Sequence, residues 1–273
     1  MLTFVDSQPA LLLQHKKQRT LIIADLHIGW EVALIEKGIH VPSQMPKLLE
    51  KLAAIIKKTK PSTLLLLGDI KHTIAKAATE EWRDIPDFFE ALTKQVPNIK
   101  TMQGNHDGSL EPLLPETIEI LPATGMAIGN VGFFHGHTWP ALELLKCQTL
   151  VMGHVHPVVM FHDPLGFRIT RQVWVKAKCD GTQLQKSLIK HYNVKQAKKK
   201  APKTSQVIII PSFNDFLGGQ PINRKGIGID HKYQALIGPL LRSKSVKIED
   251  AELFLLDGTF LGTVEQLTTL SIG

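Results

Sequence analysis

Cysteine is scarce in this chain: Cys147 and Cys179 are the only two in 273 residues, and no C-x-x-C pair exists. A disulfide framework is thereby excluded, and both thiols read as reduced residues in or near the core. Long apolar runs are missing as well. The longest, Thr63–Leu67 (TLLLL) and Val207–Ile210 (VIII), fall far short of the roughly 20 residues that span a membrane. The N-terminal stretch MLTFVDSQPALLL contains Asp6 and has no basic segment ahead of its apolar residues, so it reads as a poor secretory signal. No internal repeat is visible. The expectation is a soluble, cytoplasmic protein with no membrane partner.

Apolar residues make up 43% of the chain, enough for a full core without cross-links. The formal net charge is +7, and a positive field of that kind suits nucleic acid, nucleotides or phosphoprotein. The excess is uneven. The segment Lys195–Lys203 (KQAKKKAPK) holds five lysines and no acid, and it reads either as a solvated loop or as a phosphate-backbone contact. Apolar strands resume after it, which makes it a basic insertion near 195–203 within a single domain over 1–273.

Apolar strands alternate with amphipathic helices in the first half. Thr20–Ala24 reads as a short buried strand ending at Asp25. Met45–Lys57 places Leu48, Leu49, Leu52, Ile55 and Ile56 at helical spacing. A strand over Thr63–Leu67 ends at Gly68-Asp69. Glu80–Gln95 reads as a helix with Thr79 as its N-cap, and Lys100–Gln103 as a strand running into Gly104-Asn105-His106-Asp107. Beyond this, helices thin out to one short candidate at Leu142–Cys147. Strands are expected at Ile118–Leu121, Met126–Ile128, Val131–Phe134, Thr149–Met152 and Val207–Ile210. Hairpins are expected over Val158–His162 with Arg168–Ala177 and over Ala251–Leu256 with Phe260–Val264. Early βαβ units followed by a strand-rich half imply an α/β fold with two packed sheets flanked by helices.

Polar residues fall where these strands end: Asp25-Leu26-His27, Gly68-Asp69, Gly104-Asn105-His106-Asp107, His135-Gly136-His137 and Gly153-His154-Val155-His156. Ligand sites of open α/β sheets form outside the carboxyl ends of strands. Each group alone has a structural explanation: Gly-Asp is an ordinary turn, His-x-His an exposed strand, Asn-His-Asp a helix cap. Their coincidence in this order carries the argument. Carboxylates and imidazoles together suit Mn²⁺, Fe, Zn²⁺ or Ni²⁺, and the absence of cysteine from the set argues against a structural zinc site. Two cations about 3.5–4 Å apart clamp the attacking and leaving oxygens of a phosphoryl displacement. One carboxylate must then bridge them, and Asp69 on its glycine turn is the natural candidate.

The order D-x-H, GD, GNH[DE], H, G-H-x-H resembles the calcineurin-like metallophosphoesterase superfamily, with all five blocks intact between residues 25 and 156. The resemblance implies a four-layer αββα fold. It implies one metal on Asp25, His27, Asp69 and His156, and a second on Asp69, Asn105, His135 and His154. His106 would stay outside the metal shell, beside the scissile phosphate, with Asp107 orienting its imidazole. Water made acidic by the metals would be the nucleophile, with no covalent intermediate. His72 and His137 fall inside the motifs as substrate contacts or cleft-rim residues; Asn214, in Pro211–Gly219, is a substrate-contact candidate.

A finer resemblance is to the prokaryotic predicted phosphoesterases that include the ligase-associated DNA-damage-response endonuclease family. Ala24–Glu31, Lys37–Pro42, Gly68–His72, Gly153–Pro157 and Pro211–Gly219 carry it. It implies phosphodiester hydrolysis with Mn²⁺ as the first-choice activator, Mg²⁺ also being accepted, and DNA or RNA among the substrates. One departure stands out: the usual aromatic before the histidine of the third segment is replaced by Lys71. A phosphomonoesterase or cyclic-nucleotide enzyme, and a non-catalytic binding scaffold, are the competing expectations.

Overall fold

Strands such as TLLLL carry no polar alternation because both of their faces are covered. In the computed structural model, which describes residues 1–35, 37–163, 165–194, 201–224 and 237–270, Leu64 and Leu66 face one apolar cluster while Leu65 and Leu67 face another. A strand buried on both sides reads as a continuous apolar run. Most of the lysine-rich segment, 195–200, lies outside the described residues.

The first sheet contains β1 (Leu2–Phe4), β2 (Leu11–His15), β3 (Gln18–Ile23), β4 (Thr63–Leu66), β5 (Asn98–Met102) and β6 (Glu119–Leu121) in that spatial order. β1, β2 and β3 pair antiparallel, whereas β3 to β6 run parallel. The helices α1 (Val32–Ile35), α2 (Met45–Thr59) and α3 (Thr79–Thr93) occupy its crossovers. The second sheet holds β7 (Met126–Ile128), β8 (Val131–Phe134), β9 (Thr149–Met152), β10 (Pro157–His162), β11 (Arg168–Lys178), β12 (Gln206–Ile209) and β13 (Gln220–Pro221) in the order β13-β10-β11-β12-β9-β8-β7. Strand β14 (Glu252–Leu255) pairs with β11, and β15 (Phe260–Thr263) with β14. Helices α4 (Gly181–His191), α5 (Gly238–Arg242) and α6 (Val264–Leu270) follow β11, β13 and β15.

Three buried clusters define four layers. Ile22, Leu65, Met102, Phe133, Val151, Trp174 and Ile208 fill the space between the sheets. Leu52, Ile55, Phe88 and Leu92 press α2 and α3 onto the outer face of the first sheet. Leu184, Leu188, Leu240 and Leu267 do the same for α4, α5 and α6 on the second. The period-2 geometry of a strand assigns neighbours such as Val173, Trp174 and Val175 to alternate layers. Two sheets packed face to face and flanked by helices are thus the architecture expected from the strand pattern. Among the described residues, no helix is long and apolar enough to cross a membrane.

Three local expectations change. The N-terminal antiparallel hairpin was not anticipated, although Leu11 and Leu13 contribute to the inter-sheet core. Helix α4 was also missed; Asp180 caps it by accepting from the amides of Thr182 and Gln183, and Leu184 and Leu188 anchor it. Thr79 is the first residue of α3 rather than its cap. Glu81 reaches back to the amide of Ala78, which makes Ala78 the cap residue.

Candidate metal centre

The chain leaves β3 at Asp25, β4 at Asp69, β5 at Asn105, β8 at His135 and β9 at His154. Because β3, β4 and β5 are parallel neighbours, as are β8 and β9, each sheet delivers its strand ends to one edge. The loops there are bound to each other. The amide of Asp25 donates to Gly68 O, that of His27 to Asp69 O, and that of Gly153 to His135 O. The amide of His154 donates to the Asp25 carboxylate across the two sheets.

Asp25, His27, Asp69, His154 and His156 all have positive φ, between 44° and 70°. Such a conformation costs a non-glycine residue about 1–3 kcal/mol and persists where surrounding contacts impose it. Here it turns each side chain sharply off its strand toward the common edge. Gly104 is required by close approach: a Cβ there would meet Asp69 Oδ1 at 2.0 Å and Asp69 N at 2.4 Å.

Two donor sets result. Asp25, His27, Asp69 and His156 each offer an atom to one; Asp69, His135 and His154 do so for the other. Asp69 Oδ2 lies 3.4 Å from His27 Nε2 and 3.4 Å from His135 Nε2, so it stands between the sets. Asn105 Oδ1 lies 3.3 Å from His135 Nε2, on the second set's side. All seven sequence-derived ligand candidates are therefore gathered at one place. His27 Nε2 and His156 Nε2 are buried without a hydrogen-bond partner, an arrangement that a divalent cation with nitrogen and oxygen ligands would satisfy.

The electrostatics agree with that fit. Burial would raise the Asp25 carboxyl, but His156 and His135 beside it hold it below the usual range. Burial is likewise outweighed at Asp69, where His135 and His27 keep the carboxylate ionised. Burial lowers His27, and lowers His154 to about 3, which leaves both as neutral nitrogen donors. His135 runs the other way. Burial disfavours its charge, but Asp69 and Asp25 overcome this and raise it to about 9.

His106 borders the first set, its ring centroid 4.6 Å from that of His27. Its Nδ1 is hydrogen-bonded to the backbone carbonyl of His72. The expectation that Asp107 orients this imidazole is corrected: Asp107 Oδ1 accepts from the amides of Ile70 and Lys71, and Oδ2 from the amide of Gly104. Asp107 therefore ties the Asp69 turn to the Asn105 turn, with its carboxyl raised to about 6, first by burial and then by the charge of Asp69.

His72 Nδ1 lies 3.3 Å from His27 Nδ1, and His27, His72 and His106 form a further group of converging nitrogens. The ring of His137 is 5.1 Å from that of His135, and its buried Nδ1 has no partner. Burial lowers both His72 and His137 to about 4. Asn214 is the second correction. Its Nδ2 donates to Leu26 O and its Oδ1 accepts from the amide of Phe216, so the amide that seemed available for substrate instead pins the late loop to the Asp25–His27 turn.

Sequence reasoning missed Glu81. Fully buried, it accepts from the amides of His72, Thr73 and Ala78 and from the Thr73 hydroxyl. An acid in a first helical turn gives no sign of such reach. Lys71, the departure noted above, is buried too, with Nζ donating to the carbonyls of Thr73 and Ile74. Burial lowers its pKa against the opposing charges of Glu81, Asp107 and Asp69.

Two packed sheets whose strand ends converge as carboxylates and imidazoles make an α/β protein with a candidate metal site. The family model for calcineurin-like phosphoesterases matches residues 18–193, and the chain belongs to that family, whose members act on phosphate esters. Among solved structures, the Pseudomonas putida nuclease MPE is similar over 94% of this chain and 98% of its own, at 18% identity and a TM-score of 0.51, a likeness of fold. Yfce, a phosphoesterase from E. coli, matches 53% of this chain and 73% of its own, at 19% identity and a TM-score of 0.33. No curated protein sequence matches.

Proposed function

We propose that the chain is a dinuclear metal-dependent phosphodiesterase, with Asp25, His27, Asp69 and His156 for one cation and Asp69, Asn105, His135 and His154 for the other. The observation that carries this reading is Asp69, whose Oδ2 stands 3.4 Å from a nitrogen of each donor set. Bound cations acidify water to a nucleophile near neutral pH and draw charge from the ester oxygens. His106, its Nδ1 engaged by the His72 carbonyl, keeps Nε2 free to stabilise the ester or protonate the leaving oxygen. His72 and His137 flank the donor sets as substrate contacts, and Asn214 is withdrawn from that role. The positive charge favours a polyanion, and nucleic acid is the proposed source of the diester. Mn²⁺ is the proposed metal. The core shared by both sheets supports a single domain, and two free, buried thiols suit the reducing cytoplasm.

Metal-stripped protein, reloaded with Mn²⁺, is expected to bind two cations per chain. It is expected to hydrolyse bis-p-nitrophenyl phosphate in preference to p-nitrophenyl phosphate, and to nick DNA or RNA. A monoester preference with no nicking points instead to a small-substrate phosphatase. No bindable metal and no activity on either ester points to a binding scaffold.

A further inference from the structure

The late loop carries a half-exposed aromatic ring between its attachments to two ligand-bearing turns. The amide of Phe213 donates to Ala24 O and that of Asn214 to Asp25 O, while the amide of Gln220 donates to His156 O. The segment between is thus fastened to both the Asp25–His27 turn and the His156 turn. Within it, on the 3₁₀ turn Asp215–Leu217, Phe216 is 43% exposed. Its ring lies parallel to that of Trp30, at 5.5 Å between centroids and 11° between planes. Trp30 is held there by its amide, which donates to His27 O. A cation completes the group: Lys47, exposed on α2, places Nζ 5.5 Å from the Phe216 centroid. Its neighbour Lys51 is committed elsewhere, to Asp215 Oδ1 at 2.6 Å and Phe213 O at 2.9 Å.

A large ring left half in water loses apolar burial. An aromatic stack with one exposed member and an exposed ammonium over that ring has the makings of a nucleotide subsite: the lysine swings to a phosphate and leaves the ring face to a base. We infer that Trp30, Phe216 and Lys47 form a subsite for the nucleotide next to the scissile phosphate, its base stacking on Phe216. The inference rests on the nucleic-acid reading above and deepens it. Stacking accepts any base, so the subsite gives affinity and register on a single strand without sequence preference.

The test is a binding cycle in the Mn²⁺-loaded His106→Ala protein, whose turnover is expected to be about 10²–10⁴-fold slower. Fluorescence anisotropy compares a labelled single-stranded oligonucleotide with an abasic one of equal length. The base-bearing strand is expected to bind about tenfold more tightly, within the range of base–aromatic stacking. Phe216→Ala and Phe216→Leu, the second keeping apolar volume under the Trp30 ring, are each expected to abolish that preference with bound metal retained. Lys47→Ala is expected to weaken both strands equally and to flatten the salt dependence. A preference that survives both Phe216 variants overturns the subsite. Equal binding of the two strands by the parent protein also overturns it while leaving the nucleic-acid reading intact; no binding of either strand removes both.

Discussion

His106 takes its orientation from the backbone oxygen of His72, not from the carboxylate that follows it in the chain. That oxygen belongs to a loop whose amides at His72 and Thr73 are held by Glu81, a residue of α3. The general acid proposed for this site is therefore positioned by main chain, and the main chain by a buried carboxylate that belongs to neither donor set.

His106→Ala is expected to retain both cations and lose about 10²–10⁴-fold in kcat, the usual worth of a positioned acid. Glu81→Ala leaves buried amides unpaired and is expected to lower stability by about 1–3 kcal/mol. It should also lower kcat with little change in bound metal. Metal analysis beside steady-state kinetics checks both variants; unchanged turnover in His106→Ala would refute its role.

Gly104→Ala directs a methyl group into Asp69 Oδ1 and the Asp69 amide. Displacement of the shared carboxylate is expected to cost at least one of the two cations and most of the activity. Gly258→Ala is the control. Its φ of +87° makes any side chain strained, a constraint Gly104 lacks, but no atom lies within 4 Å of its added carbon, so only stability should fall. Equal metal content in the two variants would contradict the bridging assignment.

Metal binding is expected to release a proton from His135. In the cation-free protein this imidazole titrates at about 9, so at pH 7 it is protonated and must lose that proton to bind metal. Apparent affinity should rise about tenfold per pH unit up to about 9 and then level off. Titration calorimetry in buffers of different ionisation heat counts the protons; a heat independent of buffer would contradict the prediction.

The two thiols are expected to be inert in the folded protein. Burial raises Cys147, and burial together with the Asp180 charge raises Cys179 to about 11. The thiolate fraction grows only as pH rises toward those values, so a thiol-specific reagent at pH 8 should label neither until denaturant is added. Rapid labelling of the native protein would show that the segments flanking β9 and β11 open.

The sequence alone picked out the seven side chains that the fold gathers at one edge, because each sits in a short motif at the end of an apolar strand, where strand and turn chemistry are local. It determined the layered α/β architecture for a similar reason: strands buried on both faces and helices buried on one leave periodic traces. It left out the β1–β2 hairpin, whose strand β1 has only three residues, and α4, whose buried leucines are only two. Only the tertiary structure decided what the polar residues around the metals do. Asp107 bonds an amide 37 residues away, Asn214 one carbonyl 188 residues away, and Glu81 the loop that aims His106. A carboxylate or carboxamide takes whichever partner the fold brings within about 3 Å, and for the bonds that join one loop to another that partner lies well along the chain.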